Sequence, residues 1–130
     1  MAGGAFVLPK ARPKGPPYFS RNQVAQALHQ VAVLLELNGA NVFRVRSYQN
    51  ASRMLGGLTQ DLGELVASGE LFELKGIGKG LGSALSQAIG EGRWPDDWIA
   101  LHTDTPEGMI EMLGIPGLGP KRIKIMNQEL

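Results

Sequence analysis

The most constraining feature of this sequence is a glycine pattern that occurs twice. The motif reads apolar, any residue, Gly, apolar, Gly, first as Leu74–Gly78 and again as Ile115–Gly119. In such a motif the first glycine permits a positive φ that ends a helix. The apolar residue points into the core, and the second glycine leaves the start of the next helix unobstructed. The pattern therefore predicts two tight αα-hairpins.

The remaining chain has helical rather than strand periodicity. Val24, Leu28, Val31 and Leu35 form one stripe of a helix predicted over 20–38, with Ser20 as its N-cap. The run 42–45 is strand-like but too short to build a sheet. We therefore expect an all-α fold, a small helical domain with two hairpins. Further helices are predicted at about 46–57, 60–68, 79–90, 95–102, 106–113 and from 120 to the C-terminus.

The N-terminal residues 1–17 differ in composition from the rest. They contain four of the eight prolines, together with Lys10, Arg12 and Lys14, and no acid. This composition predicts a flexible basic tail. We expect a helical domain with the first hairpin over 18–103 and a second hairpin unit over 104–130. The formal net charge is only +1, so any basic footprint for nucleic acid must be local.

Composition excludes several classes of site. Without cysteine there can be no disulfide, thiolate zinc site or cysteine nucleophile. Two histidines, His29 and His102, are too few for a histidine metal site. The sequence has neither an apolar run of about 20 residues nor an apolar N-terminal signal segment. We expect a cytoplasmic protein with no membrane partner, nucleoid-associated if bacterial.

The start of each helix that follows a hairpin can bind an anion. Unpaired N–H groups and the positive end of the helix dipole favour a phosphate there. Lys79 follows the first hairpin, and Lys121, Arg122 and Lys124 follow the second. Backbone contacts to phosphate do not read bases, so the pattern predicts nucleic-acid binding without sequence preference. The alternative is a plain αα-hairpin in which glycine serves only the turn.

Three stretches resemble the N-terminal region of family X DNA polymerases, particularly the bacterial ones. They are NGANVFRVRSYQNASRML (38–55), LFELKGIGKG (71–80) and MLGIPGLGPKRIK (112–124). The resemblance implies a helical domain that grips the 5′-phosphate side of gapped DNA, and an adjoining hairpin that holds the primer strand. It places Arg44 and Tyr48 in the 5′-phosphate pocket.

The resemblance also implies bound monovalent cations. Main-chain carbonyls of each hairpin would hold Na⁺ or K⁺, which would bridge the hairpin to a phosphate. Those carbonyls belong to Phe72, Leu74 and Ile77, and to Leu113, Ile115 and Leu118. No other cofactor is expected.

Two departures from the family bear on catalysis. Many members use a lysine, in the helix after the first hairpin, to remove 5′-deoxyribose phosphate, and Ala84 stands at that position. Polymerisation needs a carboxylate-rich palm, which these 130 residues do not contain. We therefore expect a truncated or free-standing N-terminal region that binds DNA in repair without catalysing a reaction.

The expected DNA-binding surface combines both hairpins with a surface lined by Arg44, Arg46 and Arg53, since positions 46 and 53 are two helical turns apart on the second helix. Two alternatives stay open: a lyase that uses Lys75 or Lys79, and a module that binds protein instead of DNA. The residues expected to contact DNA are Arg44, Arg46, Tyr48, Gly76, Gly78, Lys79, Gly80, Gly117, Gly119, Lys121, Arg122 and Lys124.

Overall fold

The computed structural model describes residues 8–14, 17–105 and 108. The described residues form helices and contain no strand, so the all-α prediction is confirmed. The elements are α1 (Arg21–Leu37), α2 (Val42–Gly56), α3 (Leu62–Ser68), a 3₁₀ helix (Glu70–Glu73), α4 (Lys79–Glu91) and α5 (Asp96–Asp104). The predictions for the second hairpin, and for helices over 106–113 and after 120, lie outside the described residues.

Helix α1 is the centre of the domain and begins where the sequence predicts. The Ser20 hydroxyl accepts from the Gln23 backbone N–H at 3.1 Å, and the Gln23 side chain accepts from the Ser20 N–H at 2.8 Å. This reciprocal capping box satisfies two N–H groups that the first turn leaves unpaired. The predicted stripe of Val24, Leu28, Val31 and Leu35 is buried, and α2 and α5 pack against α1.

Helix α2 begins at Val42, four residues earlier than predicted. The Asn41 side chain accepts from the Phe43 N–H at 2.7 Å and caps this start. The run 42–45 is therefore the first turn of a helix and not a strand-like segment. β-Branched residues cost only a few tenths of a kcal/mol in a helix. Burial of Val45 in the core outweighs this cost of β-branched residues.

Aromatic side chains close the end of the domain where α5 packs. Phe19 stacks on Trp94 with ring centroids 4.1 Å apart, and Trp94 stacks on Trp98 at 5.6 Å. Tyr48 meets the Trp98 ring edge-on at 5.8 Å. Both tryptophans are buried, so they contribute to packing and are not exposed for base stacking.

The N-terminal segment differs from the expectation of a flexible tail. Leu8 packs against the core, and the Trp94 indole donates to the Pro9 carbonyl at 2.8 Å. The Arg12 N–H donates to the Tyr18 carbonyl at 2.8 Å. These contacts place residues 8–14 against the helical domain. The proline-rich composition predicted a flexible tail, because composition does not reveal a hydrogen-bond partner that lies 85 residues away in the sequence.

Candidate nucleic-acid interface

The first hairpin runs from α3 through the 3₁₀ helix to α4. Leu71 is fully buried, and Ile77, between the two glycines, is 7% exposed, so both anchor the hairpin in the core. Gly76 makes the turn with φ +90°, a backbone conformation that residues with a side chain rarely adopt. The Ile77 N–H donates to the Leu74 carbonyl at 3.1 Å and closes the loop.

The N-terminus of α4 is open to the outside. Gly78 is its N-cap residue, with φ −78° and ψ 172°, and no side chain caps the helix there. A Cβ at Gly78 or Gly80 would meet no atom within 4 Å. The first turn of α4 contains no acid, and Lys79 within it is exposed. The geometry provides unobstructed N–H groups at the positive end of a helix of 13 residues.

Gly82 is a structural requirement that the sequence analysis did not identify. A Cβ at this position would lie 2.6 Å from the Phe72 ring, closer than real Cβ atoms come to other atoms. The absence of a side chain at Gly82 lets Phe72 lie directly on α4. The signal available in the sequence was the third glycine of the run GKGLG, after Gly78 and Gly80.

Arg44 and Tyr48 lie one turn apart on the face of α2 that is directed towards α5. The Arg44 guanidinium is 3.8 Å from the Asp97 carboxylate, and both side chains are more than half exposed. Arg44 and Asp97 line a groove of about 360 Å³, whose lining also includes Asn38, Asp104 and Thr105 but not Tyr48. The structure therefore brings the two predicted pocket residues to one side of α2, and adds a carboxylate that competes for Arg44.

Because α2 begins at Val42 and includes Arg44, the structure separates Arg44 from Arg46 and Arg53, which were predicted to line one surface with it. Residues two apart in an α-helix are separated by about 200° around its axis. Arg44 therefore faces Asp97 on α5, whereas Arg46 and Arg53 lie on the exposed outer side of α2. The Arg53 guanidinium donates to the Asn50 side chain at 2.9 Å on that outer side.

The residue that the resemblance places at the family's lysine position, Ala84, is half-buried. Ala84 packs against the hydrophobic core from α4. Lys75 and Lys79, the alternative nucleophiles, are both exposed at the hairpin.

None of the helices in the described residues combines the length and the hydrophobicity of a membrane span.

Comparison with known proteins identifies the class to which this fold and hairpin belong. Residues 20–94 match the family described as "Helix-hairpin-helix domain", which is more than half of the chain. The chain therefore belongs to the helix-hairpin-helix family.

A curated relative agrees with the resemblance drawn from the sequence. The chain is 34% identical over 110 residues to the N-terminal part of the DNA polymerase/3′-5′ exonuclease PolX of Bacillus subtilis (strain 168). The match covers 85% of this chain and 19% of the relative, so the chain spans about a fifth of that protein's length. The resemblance to the N-terminal region of family X polymerases is confirmed.

Proposed function

We propose that this chain binds DNA through its backbone phosphates, without sequence preference, and that its target is gapped DNA with a 5′-phosphate in repair. The observation that carries the proposal is the open N-terminus of α4, with glycine at the exposed positions 78 and 80 and no side-chain cap. Membership of the helix-hairpin-helix family and similarity to a DNA polymerase support DNA as the partner.

A phosphate fits the first hairpin for three reasons. Backbone N–H groups at a helix start donate to phosphate oxygens, and the helix dipole adds a favourable field. Lys79 in the first turn opposes that dipole, so its position favours an anion supplied from outside. Because Ile77 is buried, the loop is held in this geometry before DNA arrives, which reduces the entropy lost on binding.

The 5′-phosphate would lie in the groove beside α2. Arg44 would make a charge-assisted contact to the phosphate, and Tyr48 would support it from the same face of the helix. In the protein without DNA, Asp97 shares the Arg44 guanidinium. The pair is exposed, so breaking it costs at most about 1 kcal/mol, which a phosphate contact outweighs.

The hairpin carbonyls suit a monovalent cation, an ion that takes oxygen ligands. The Leu74 carbonyl accepts the Ile77 N–H and retains a second lone pair for an ion. Phe72 and Ile77 would supply the other two carbonyls. The bound cation would supply positive charge between the hairpin and a phosphate.

The second hairpin is proposed to act in the same way, since it repeats the motif. Its contacts would come from Gly117, Gly119, Lys121, Arg122 and Lys124. The unit over 104–130 would then contact a different part of the DNA from the domain over 18–103.

Binding without catalysis is the role proposed for this chain. A lysine nucleophile must be unprotonated near pH 7, which requires burial or nearby positive charge. The half-buried family position holds Ala84, whose methyl group forms no imine. Lys75 and Lys79 are exposed instead.

The test compares two gapped duplexes that differ only in the 5′-phosphate, by fluorescence anisotropy. The phosphorylated duplex should bind about 10- to 150-fold tighter, the value of one charge-assisted contact of about 1.5–3 kcal/mol. Arg44→Gln should remove most of this difference. Arg93→Gln is the matched control, since Arg93 forms a similarly exposed pair with Asp96 at 3.5 Å. Equal affinity of the wild type for both duplexes would reject the pocket.

A further inference from the structure

The N-terminal segment is attached to the domain by a chain of backbone contacts. The Tyr18 N–H donates to the Ile89 carbonyl at 3.0 Å, and the Tyr18 carbonyl accepts the Arg12 N–H. The Trp94 indole N–H donates to the Pro9 carbonyl, and Leu8 packs against the core. These contacts fix residues 8–12 at several points, so their side chains project from a defined surface.

Gly92 shows how closely this segment fits the domain. Gly92 follows α4 with φ +73°, and a Cβ there would lie 2.9 Å from the Tyr18 ring and 3.3 Å from Ala11. The segment thus passes over the end of α4 at a place where only glycine fits. Ala11 is the residue of the segment nearest Gly92, and Lys10 and Arg12 on either side of it are exposed.

The surface formed by this segment is strongly basic. Lys10, Arg12 and Lys14 are all exposed, as is Arg21 at the first residue of α1. Arg12 and Arg21 line a cleft of about 410 Å³, whose lining also includes Asp61. The Asp61 carboxylate is engaged in capping α3, where it accepts the Gly63 N–H at 2.7 Å. We call Lys10, Arg12, Lys14 and Arg21 the basic segment.

We propose that the basic segment is a second DNA-contacting surface, which binds backbone phosphates on the same duplex as the hairpin. The inference rests on the proposed function. It adds Lys10, Arg12 and Lys14, which lie outside residues 20–94, the part matched by the family, and Arg21, which lies inside that part. Residues 1–17 contain three basic side chains and no acid, whereas the residues after 17, Arg21 included, contain 10 basic and 12 acidic side chains. Lys10, Arg12 and Lys14 therefore give the N-terminal segment an excess of positive charge.

The length of the N-terminal segment allows contact with more than one phosphate of a DNA strand. Four residue steps from Lys10 to Lys14 span at most about 14 Å. A DNA strand carries one phosphate per about 3.4 Å of helix axis, so that length covers about four phosphates. The exposed side chains of Lys10, Arg12 and Lys14 therefore lie within a length that spans at most about four phosphates of one strand.

The test measures the salt dependence of binding to a gapped duplex. Arg12→Gln combined with Arg21→Gln removes two contacts and should reduce the log–log salt slope by about 1.8. Affinity at about 0.1 M salt should fall roughly 60-fold, with an unchanged melting temperature. The control Arg93→Gln should leave the slope as it is. If the wild type binds DNA and the double variant has the same salt slope, the proposal for the basic segment is wrong and the proposed function stands. If the wild type binds no DNA, the proposed function is wrong as well.

Lysine footprinting gives an independent readout on the wild-type chain. Acetylation of Lys10 and Lys14, followed by mass spectrometry, should slow in the presence of duplex DNA and not in the presence of inorganic phosphate. Lys79 reports the hairpin in the same experiment. Protection of Lys79 without protection of Lys10 and Lys14 contradicts the basic segment and leaves the hairpin contact intact. Equal protection by inorganic phosphate would show a site for a small anion and would also overturn the proposal.

Discussion

The substitution Gly78→Ser should stabilise the protein and weaken its binding to DNA. Gly78 has φ −78° and ψ 172°, nearly the dihedral angles of Ser20, which has φ −77° and ψ 164° and caps α1. A serine at position 78 can therefore adopt the same conformation without strain. Its hydroxyl would accept from the Leu81 N–H, as the Ser20 hydroxyl accepts from the Gln23 N–H.

The two effects of Gly78→Ser can be given magnitudes. Serine exceeds glycine as an N-cap by a few tenths of a kcal/mol. For a domain of this size the melting temperature should rise by roughly 1–2 °C. The same hydroxyl occupies an N–H group that would donate to phosphate, at a loss of about 1.5–3 kcal/mol. Affinity for DNA should fall about 10- to 150-fold.

Thermal melting by circular dichroism and anisotropy on a gapped duplex measure both effects in one sample. Gly76→Ala is the comparison, because Gly76 has φ +90° and equally open surroundings. Alanine at this φ should cost about 1–2 kcal/mol and lower the melting temperature. A Gly78→Ser protein that melts higher and binds DNA like the wild type would show that the N-terminus of α4 is not in the interface.

The remaining predictions concern the phosphate groove, a half-buried histidine and the family's lysine position. Asp97→Asn should release Arg44 and raise the affinity for a 5′-phosphorylated gap a few-fold, with less than about 1 kcal/mol change in stability; unchanged affinity would argue against the pocket. Burial lowers the pKa of His102 below its ordinary 6.5, despite the opposing hydrogen bond to the Trp98 carbonyl. The unfolded chain therefore takes up a proton at His102 more readily than the folded protein does. The free energy of unfolding is then highest above pH 6.5 and falls on acidification below it. His102→Gln should flatten that part of the melting-temperature profile. Borohydride should trap Ala84→Lys on 5′-deoxyribose-phosphate DNA more efficiently than the wild type; equal trapping would identify another lysine as the nucleophile.

Local patterns in the sequence were sufficient for α1 and for the turn of the first hairpin. The cap at Ser20 and the period of the buried stripe depend only on residues within a few turns of each other. The burial of Ile77 and the positive φ of Gly76 follow from the Gly-apolar-Gly spacing for the same reason. These features are encoded over short distances along the chain, which is why they could be predicted.

Features that depend on distant partners could not be predicted in this way. The Trp94–Pro9 hydrogen bond and the Arg44–Asp97 pair each join residues far apart in sequence. The first turn of α2 has strand-like residues, and its helical state depends on the Asn41 cap and on packing of Val45 against the core. Proline content and β-propensity are weak predictors where such contacts decide the structure.

The most direct test of phosphate-backbone binding is a salt titration on gapped duplexes of unrelated sequence. With about three to five phosphates contacted, the log–log slope should be about −3 to −5, and affinities at physiological salt should lie near the micromolar range. Duplexes of scrambled sequence should give the same slope and affinity, because backbone contacts do not read bases. A slope near zero, or a strong preference for one sequence, would contradict binding through the phosphates.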